Sequence, residues 1–224
     1  MSDTLNLTIA EKQAVYEQEI KKSRFILNIA RIENEDDAQA FLEKIRKQER
    51  KATHNVWAYV LGETDSVQRY SDDGEPAGTA GVPMLEVIKN NQLHNVAAVV
   101  TRYFGGIKLG AGGLIRAYAG TVADGVADIG RVELVVQHEV LIEVAYSQFE
   151  SLKYWLEQNS YQILDTEYGS TVTLTVGVEA TNIEKFENDV TNETAGQASL
   201  IVGDERIVEV PYERDVTAKT SSLK

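Results

Sequence analysis

Residues 101–116, TRYFGGIKLGAGGLIR, follow an apolar run at 95–100 and carry glycines at positions 105, 106, 110, 112 and 113. An apolar run, a glycine loop and a renewed apolar period read as strand, loop and helix. That passage fixes a local β-to-α turn. Glycine lets backbone N–H groups converge, and a helix start adds unpaired donors and a positive dipole end, so such a turn can hold an anion. Arg102, Lys108 and Arg116 accompany it, and from Val87 to Ala123 there is no acidic residue, which with Lys89 gives this segment a formal charge of +4. The whole chain carries -13. The same glycines equally suit a tight turn that lets the helix from about 113 lie close on a sheet.

The spacing excludes the common phosphate motifs. A P-loop requires a hydroxyl residue after its lysine, and Lys108 is followed by Leu109. The dinucleotide fingerprint needs glycines at relative positions 1, 3 and 6, and none of Gly105, Gly106 or Gly110 starts such a set. Neither ATP nor NAD is indicated, and no cofactor is expected. With no cysteine among 224 residues there is no disulfide framework, thiolate nucleophile or cysteine-based zinc site. No stretch approaches the roughly 18 apolar residues of a membrane span, and the N-terminal residues lack a basic region followed by an apolar one. The expected compartment is the cytoplasm, with no membrane partner.

Charge divides the chain. Residues 1–135 carry 16 Lys+Arg against 19 Asp+Glu, whereas residues 136–224 carry 6 against 16. Nucleic-acid contact therefore belongs to the basic loop of the first half, because the acidic half repels a phosphate backbone. Periodicity predicts extended segments at about 12–19, 23–32, 54–61 and 67–71, and strand 95–101. Asn34 is predicted to cap a helix through Ala38, Phe41, Leu42 and Ile45. Further helices are predicted from about 82 to 90 and from the glycine loop to near Gly130.

The second half reads as strands at 131–136 and 141–145, a helix opened by a Ser147/Glu150 capping box, and a hairpin of 161–167 and 172–178. A helix opened by Thr181/Glu184 and a strand at 200–210 complete it. The resulting β-α-β-β-α-β order is the ferredoxin-like pattern. The expected domains are 1–136 and 137–212, followed by a polar tail at 213–224.

A second constellation is Tyr70-Ser71-Asp72-Asp73-Gly74-Glu75-Pro76. Three carboxylates in four positions can hold a hard cation or share a proton. Asp-Asp-Gly and Glu-Pro are also turn formers, and acids there can cap the next helix. His54 is the best placed of three histidines for acid or base work, provided Asp72, Asp73 or Glu75 comes within reach. No second ligand lies near it in sequence, so no metal site is expected. His94 and His138 sit at element edges. Trp57, Tyr59, Tyr103 and Phe104 could stack bases or simply fill a core.

Lys22-Ser23-Arg24-Phe25, Ala52-Thr53-His54-Asn55, the run at 70–81 (YSDDGEPAGTAG) and the run at 101–110 (TRYFGGIKLG) together resemble the IMPACT family, in its bacterial YigZ-like branch. The resemblance runs in order through about residues 12–130, and the second half is similar to the small C-terminal domain of bacterial members. It implies an α+β protein. The first domain would resemble domain 2 of ribosomal protein S5, and the second would be ferredoxin-like, similar to domain V of elongation factor G. Eukaryotic members regulate translation by restraining activation of the amino-acid-starvation kinase, competing for its activator.

The residues and the resemblance lead to the expectation of a non-enzymatic, translation-linked protein that binds RNA, the ribosome or a protein of the translation machinery. Arg102 and Lys108 would supply charge, the amides of Gly105, Gly106 and Gly110 would donate, and Arg116 would act from the helix. Two alternatives remain open. One is a metal-assisted hydrolase or phosphoryl-handling enzyme using Asp72, Asp73 and Glu75 with His54 as acid or base; the other is a protein-binding adaptor acting through the acidic second half.

Overall fold

The computed structural model describes residues 7–62 and 64–212, which form two compact units, one from residues 7–134 with 210–212 and one from 135–209. The polar tail expected at 213–224 lies outside the described residues.

In chain order the first unit contains strands β1 (Leu7–Ile9), β2 (Gln13–Ile20) and β3 (Ser23–Arg31), helix α1 (Glu35–Gln48), and strands β4 (His54–Leu61) and β5 (Val67–Ser71). Helix α2 (Gly81–Asn90), strand β6 (Val96–Tyr103) and helix α3 (Ala111–Ile129) follow. Asn34 caps α1 as expected, its side chain accepting from the Asp37 N–H. Five strands pair antiparallel in the order β2-β3-β6-β4-β5.

Side-chain alternation gives this sheet two covered faces. Val96, Ala98 and Val100 of β6 pack with Met84 and Ile88 of α2 and Leu114, Tyr118 and Val122 of α3, whereas Ala97 and Val99 pack with Phe41, Leu42 and Ile45 of α1. Because β6 is buried on both faces, its sequence reads as a continuous apolar run rather than an alternating one. Arg102 has the parity of Ala98 and Val100. It therefore falls on the α2/α3 face, just beyond the last apolar position.

Helix α3 starts at Ala111 rather than near 113, and Gly110 before it takes a φ of +70°, a conformation that favours glycine. Gly105 is required for a different reason: a Cβ there would overlap the Lys22 carbonyl. Strand β1 was not legible in the sequence. Its three residues are too few to show a period, yet Leu7 and Ile9 are fully buried and pair with the start of β7 (Arg131–Val144).

The second unit takes the rest of β7, helix α4 (Tyr146–Gln158), strands β8 (Gln162–Tyr168) and β9 (Val172–Glu179), helix α5 (Ile183–Glu193) and β10 (Ser199–Pro211) up to residue 209. Its strand order, β10-β7-β9-β8, is that of a ferredoxin-like sheet. Val140, Ile142 and Val144 of β7 and Val172, Leu174, Val176 and Val178 of β9 meet Phe149, Leu152 and Leu156 of α4 and Phe186 and Val190 of α5.

Three local expectations are corrected here. The two strands foreseen at 131–136 and 141–145 are one strand, since pairing with β1 and then β9 carries the chain through residues 137–140 without a turn. Ser147 does not cap α4, because the helix begins at Tyr146, and the Gln148 N–H donates to the Ala145 carbonyl. Thr181 does not cap α5, since it lies inside a single 3-10 turn, Ala180–Asn182, and the helix starts after it.

Candidate functional site

Strand register assembles the site. Arg102 of β6 pairs with Phe25 of β3 on one side and His54 of β4 on the other, and directly paired residues of antiparallel strands share a face. One row across the helix-covered face therefore reads Phe25, Arg102, His54. The Arg102 guanidinium lies 5.5 Å from the centroid of the Phe25 ring and 5.5 Å from that of Phe104, and Tyr118 of α3 meets Phe25 edge-on at 5.4 Å.

The acidic turn between β5 and α2 closes this row. Asp73 and Gly74 adopt positive φ angles of 43° and 84°, which folds Glu75 back into the interior. Its Oε1 accepts from Arg102 Nη1 at 2.6 Å and from the Tyr118 hydroxyl at 2.8 Å, and its Oε2 lies 3.9 Å from His54 Nε2. Arg102 and Glu75 side chains are 6% and 4% exposed, so neither charge could be tolerated here without the other. Burial, and then the adjoining Glu75 carboxylate, push the Tyr118 hydroxyl far above the ordinary tyrosine range, so it remains a donor.

The other two acids of the turn face elsewhere. Asp72 accepts from the N–H groups of Gly78, Ala80 and Gly81 and so caps α2, which has no cap from Ala80 itself. Asp73 accepts from the Asn55 N–H at 2.6 Å. The three carboxylates thus serve three different partners. Among the described residues no group of three His, Asp or Glu side chains is placed to hold a metal ion.

His54 is oriented by the same turn. Its Nδ1 lies 2.7 Å from the Asp73 carbonyl, which can only accept, so Nδ1 carries a proton and donates it there. His54, Glu75, Arg102, Phe104, Lys108 and the start of α3 together line a cleft of about 340 Å³. No side chain caps α3, and its first turn holds no acid. Lys108 is exposed and, among the described residues, has no ion-pair or hydrogen-bond partner.

Of the residues nominated from sequence, the cleft brings together His54, Glu75, Arg102, Lys108 and Gly110. Gly106 is exposed on the loop, whereas Gly105 spends its N–H on Ser23 Oγ at 3.2 Å and has none left for a ligand. That corrects the expectation of three donating glycines. Arg102 is also narrower in role than expected, because Glu75 already balances its charge. Arg116 is exposed on α3 and does not line the cleft. Tyr118 was missed. Its position in the buried stripe of α3 was the available signal, since a buried tyrosine hydroxyl requires a partner. A larger hollow of about 470 Å³, lined by Thr8, Arg31, His94 and Asn95 among others, contains none of the nominated site residues.

Fold and site together define a two-unit α+β protein whose first unit opens a cleft at an uncapped helix start. Residues 21–126 match the Impact N-terminal domain, and residues 142–197 match a domain of unknown function, DUF1949. The chain is 44% identical to the IMPACT family member YvyE of Bacillus subtilis, over 83% of this chain and 85% of that protein. It is 35% identical to the IMPACT family member YigZ of Escherichia coli, over 84% and 93%. A crystal structure described as that of a hypothetical protein superposes with a TM-score of 0.55 at 34% identity, covering 89% of this chain and 98% of that one. The chain belongs to the IMPACT family. No helix among the described residues is long and apolar enough to cross a membrane.

Proposed function

We propose that the first unit is a phosphate-binding module with a translation-linked role, taking an RNA phosphate in the cleft at the start of α3. The observation that carries this reading is the pairing of an exposed Lys108, without a partner among the described residues, with an uncapped helix N-terminus at a cleft whose one acid is already occupied by Arg102 and Tyr118. Those groups leave net positive potential at the mouth. The acidic second unit is a poor surface for a phosphate backbone. Family membership and the translational role of eukaryotic members support the translation-linked setting.

The test is the affinity of the full chain for a single-stranded RNA oligonucleotide across a salt series, by fluorescence anisotropy. Lys108→Ala should weaken binding and reduce the log–log salt slope by about 0.7. Arg116→Ala should change it less. An unchanged slope in Lys108→Ala overturns the assignment.

The metal-assisted hydrolase alternative is not favoured, because Asp72, Asp73 and Glu75 point to separate partners.

A further inference from the structure

Resting on the phosphate-site reading above, we infer that the cleft takes one whole nucleotide, with its phosphate at Lys108 and the start of α3 and its base stacked on Phe104. Phe104 is 47% exposed, so one face of its ring is open to a ligand. It is nevertheless held in place. Its N–H donates to Thr53 Oγ1 at 3.1 Å, and the buried Arg102 guanidinium sits 5.5 Å from its ring centroid.

A ring backed by a fixed cation has one face satisfied and electron density drawn toward that side. Its free face is then poorly suited to a second cation, such as a lysine or arginine of a protein partner, and well suited to the neutral π-face of a base. The same Arg102 is clamped between Phe104 and Phe25 and anchored on Glu75, so the platform does not have to be ordered on binding. Phe104 and Lys108 line one cleft, and its volume of about 340 Å³ lies within the range of about 300–1,000 Å³ for small-ligand sites. A single nucleotide fills such a space. A continuous strand does not, so an RNA would present one unpaired, splayed-out nucleotide.

The shared chemistry is a nucleotide, and it has two sources, a free mononucleotide or an unpaired position in RNA. The experiment titrates the full chain by calorimetry with inorganic phosphate, ribose 5-phosphate, AMP and a short single-stranded RNA. AMP should bind about tenfold more tightly than ribose 5-phosphate. Phe104→Ala should abolish that difference while leaving ribose 5-phosphate binding unchanged, and Phe104→Trp should preserve it; Lys108→Ala should weaken both ligands. Tighter binding of the RNA than of AMP assigns the site to RNA, and the reverse assigns it to a free nucleotide, each in support. Equal binding of AMP and ribose 5-phosphate overturns the nucleotide inference and leaves the phosphate site standing. If no phosphorylated compound binds and the RNA salt slope ignores Lys108→Ala, both fall.

Discussion

The two units bury different chemistry. Of the eleven buried polar or charged residues among those described, ten belong to the first unit and one, Thr194, to the second. Thr194 needs no neighbour beyond its own helix, since its hydroxyl donates to the Val190 carbonyl. In the first unit the buried set includes a charge pair and side chains that bond across the fold: Arg102 and Tyr118 to Glu75, and Thr101 to Asn55. Buried polar groups cost free energy unless every one is satisfied, so a fold built only for stability tends toward the second unit's interior. The contrast teaches where to look for function, because the first unit's network lies directly behind the cleft.

The largest expected effect comes from Glu75→Ala, which leaves the Arg102 charge buried without its partner. Urea unfolding should show a loss of about 3–5 kcal/mol. A loss below about 1 kcal/mol would break the comparison, showing that the first unit's ion pair is dispensable. In the second unit the same scale of loss requires an apolar truncation. Phe186→Ala, at a fully buried ring, should cost about 3–5 kcal/mol through the cavity it leaves.

Tyr118→Phe sharpens the contrast at smaller magnitude, with an expected loss of about 1–3 kcal/mol near neutral pH. Its pH dependence has a definite sign. Because burial raises the folded-state pKa of Tyr118 above its unfolded value, the stabilisation is complete below about pH 10 and declines by about 1.4 kcal/mol per pH unit above it. Tyr118→Phe should therefore flatten the alkaline limb of a stability–pH profile. Smallest of all, Lys108→Ala should leave stability within about 0.5 kcal/mol, since the side chain is exposed and has no partner among the described residues. Its effect should appear only in ligand binding.

Much of the fold was legible before the structure. The Asn34 cap, the apolar stripe of α1, the doubly buried β6 and the alternation of β9 all depend on residues a few positions apart. The same locality explains the failures. Ser147 and Thr181 have the composition of caps, and their helices start one residue earlier and two residues later, respectively, where packing rather than capping sets the boundary. For the site, the sequence grouped His54 with Glu75 in one reading and Arg102 with Lys108 in another, and did not join the two groups.

Sequence alone determined the strand–glycine loop–helix turn, the two-part division of charge and the family, because each is written in short-range spacing or in runs of matching residues. Only the tertiary structure decided that Arg102 meets a carboxylate 27 positions away and that Tyr118 reaches the same oxygen across 43. Strand parity told which face Arg102 takes. Which partners share that face depended on β3 and β4 flanking β6 in one register, and on a turn with two positive φ angles carrying Glu75 inward. Pairing between distant segments is set by which of them lie side by side, and local periodicity holds no record of that.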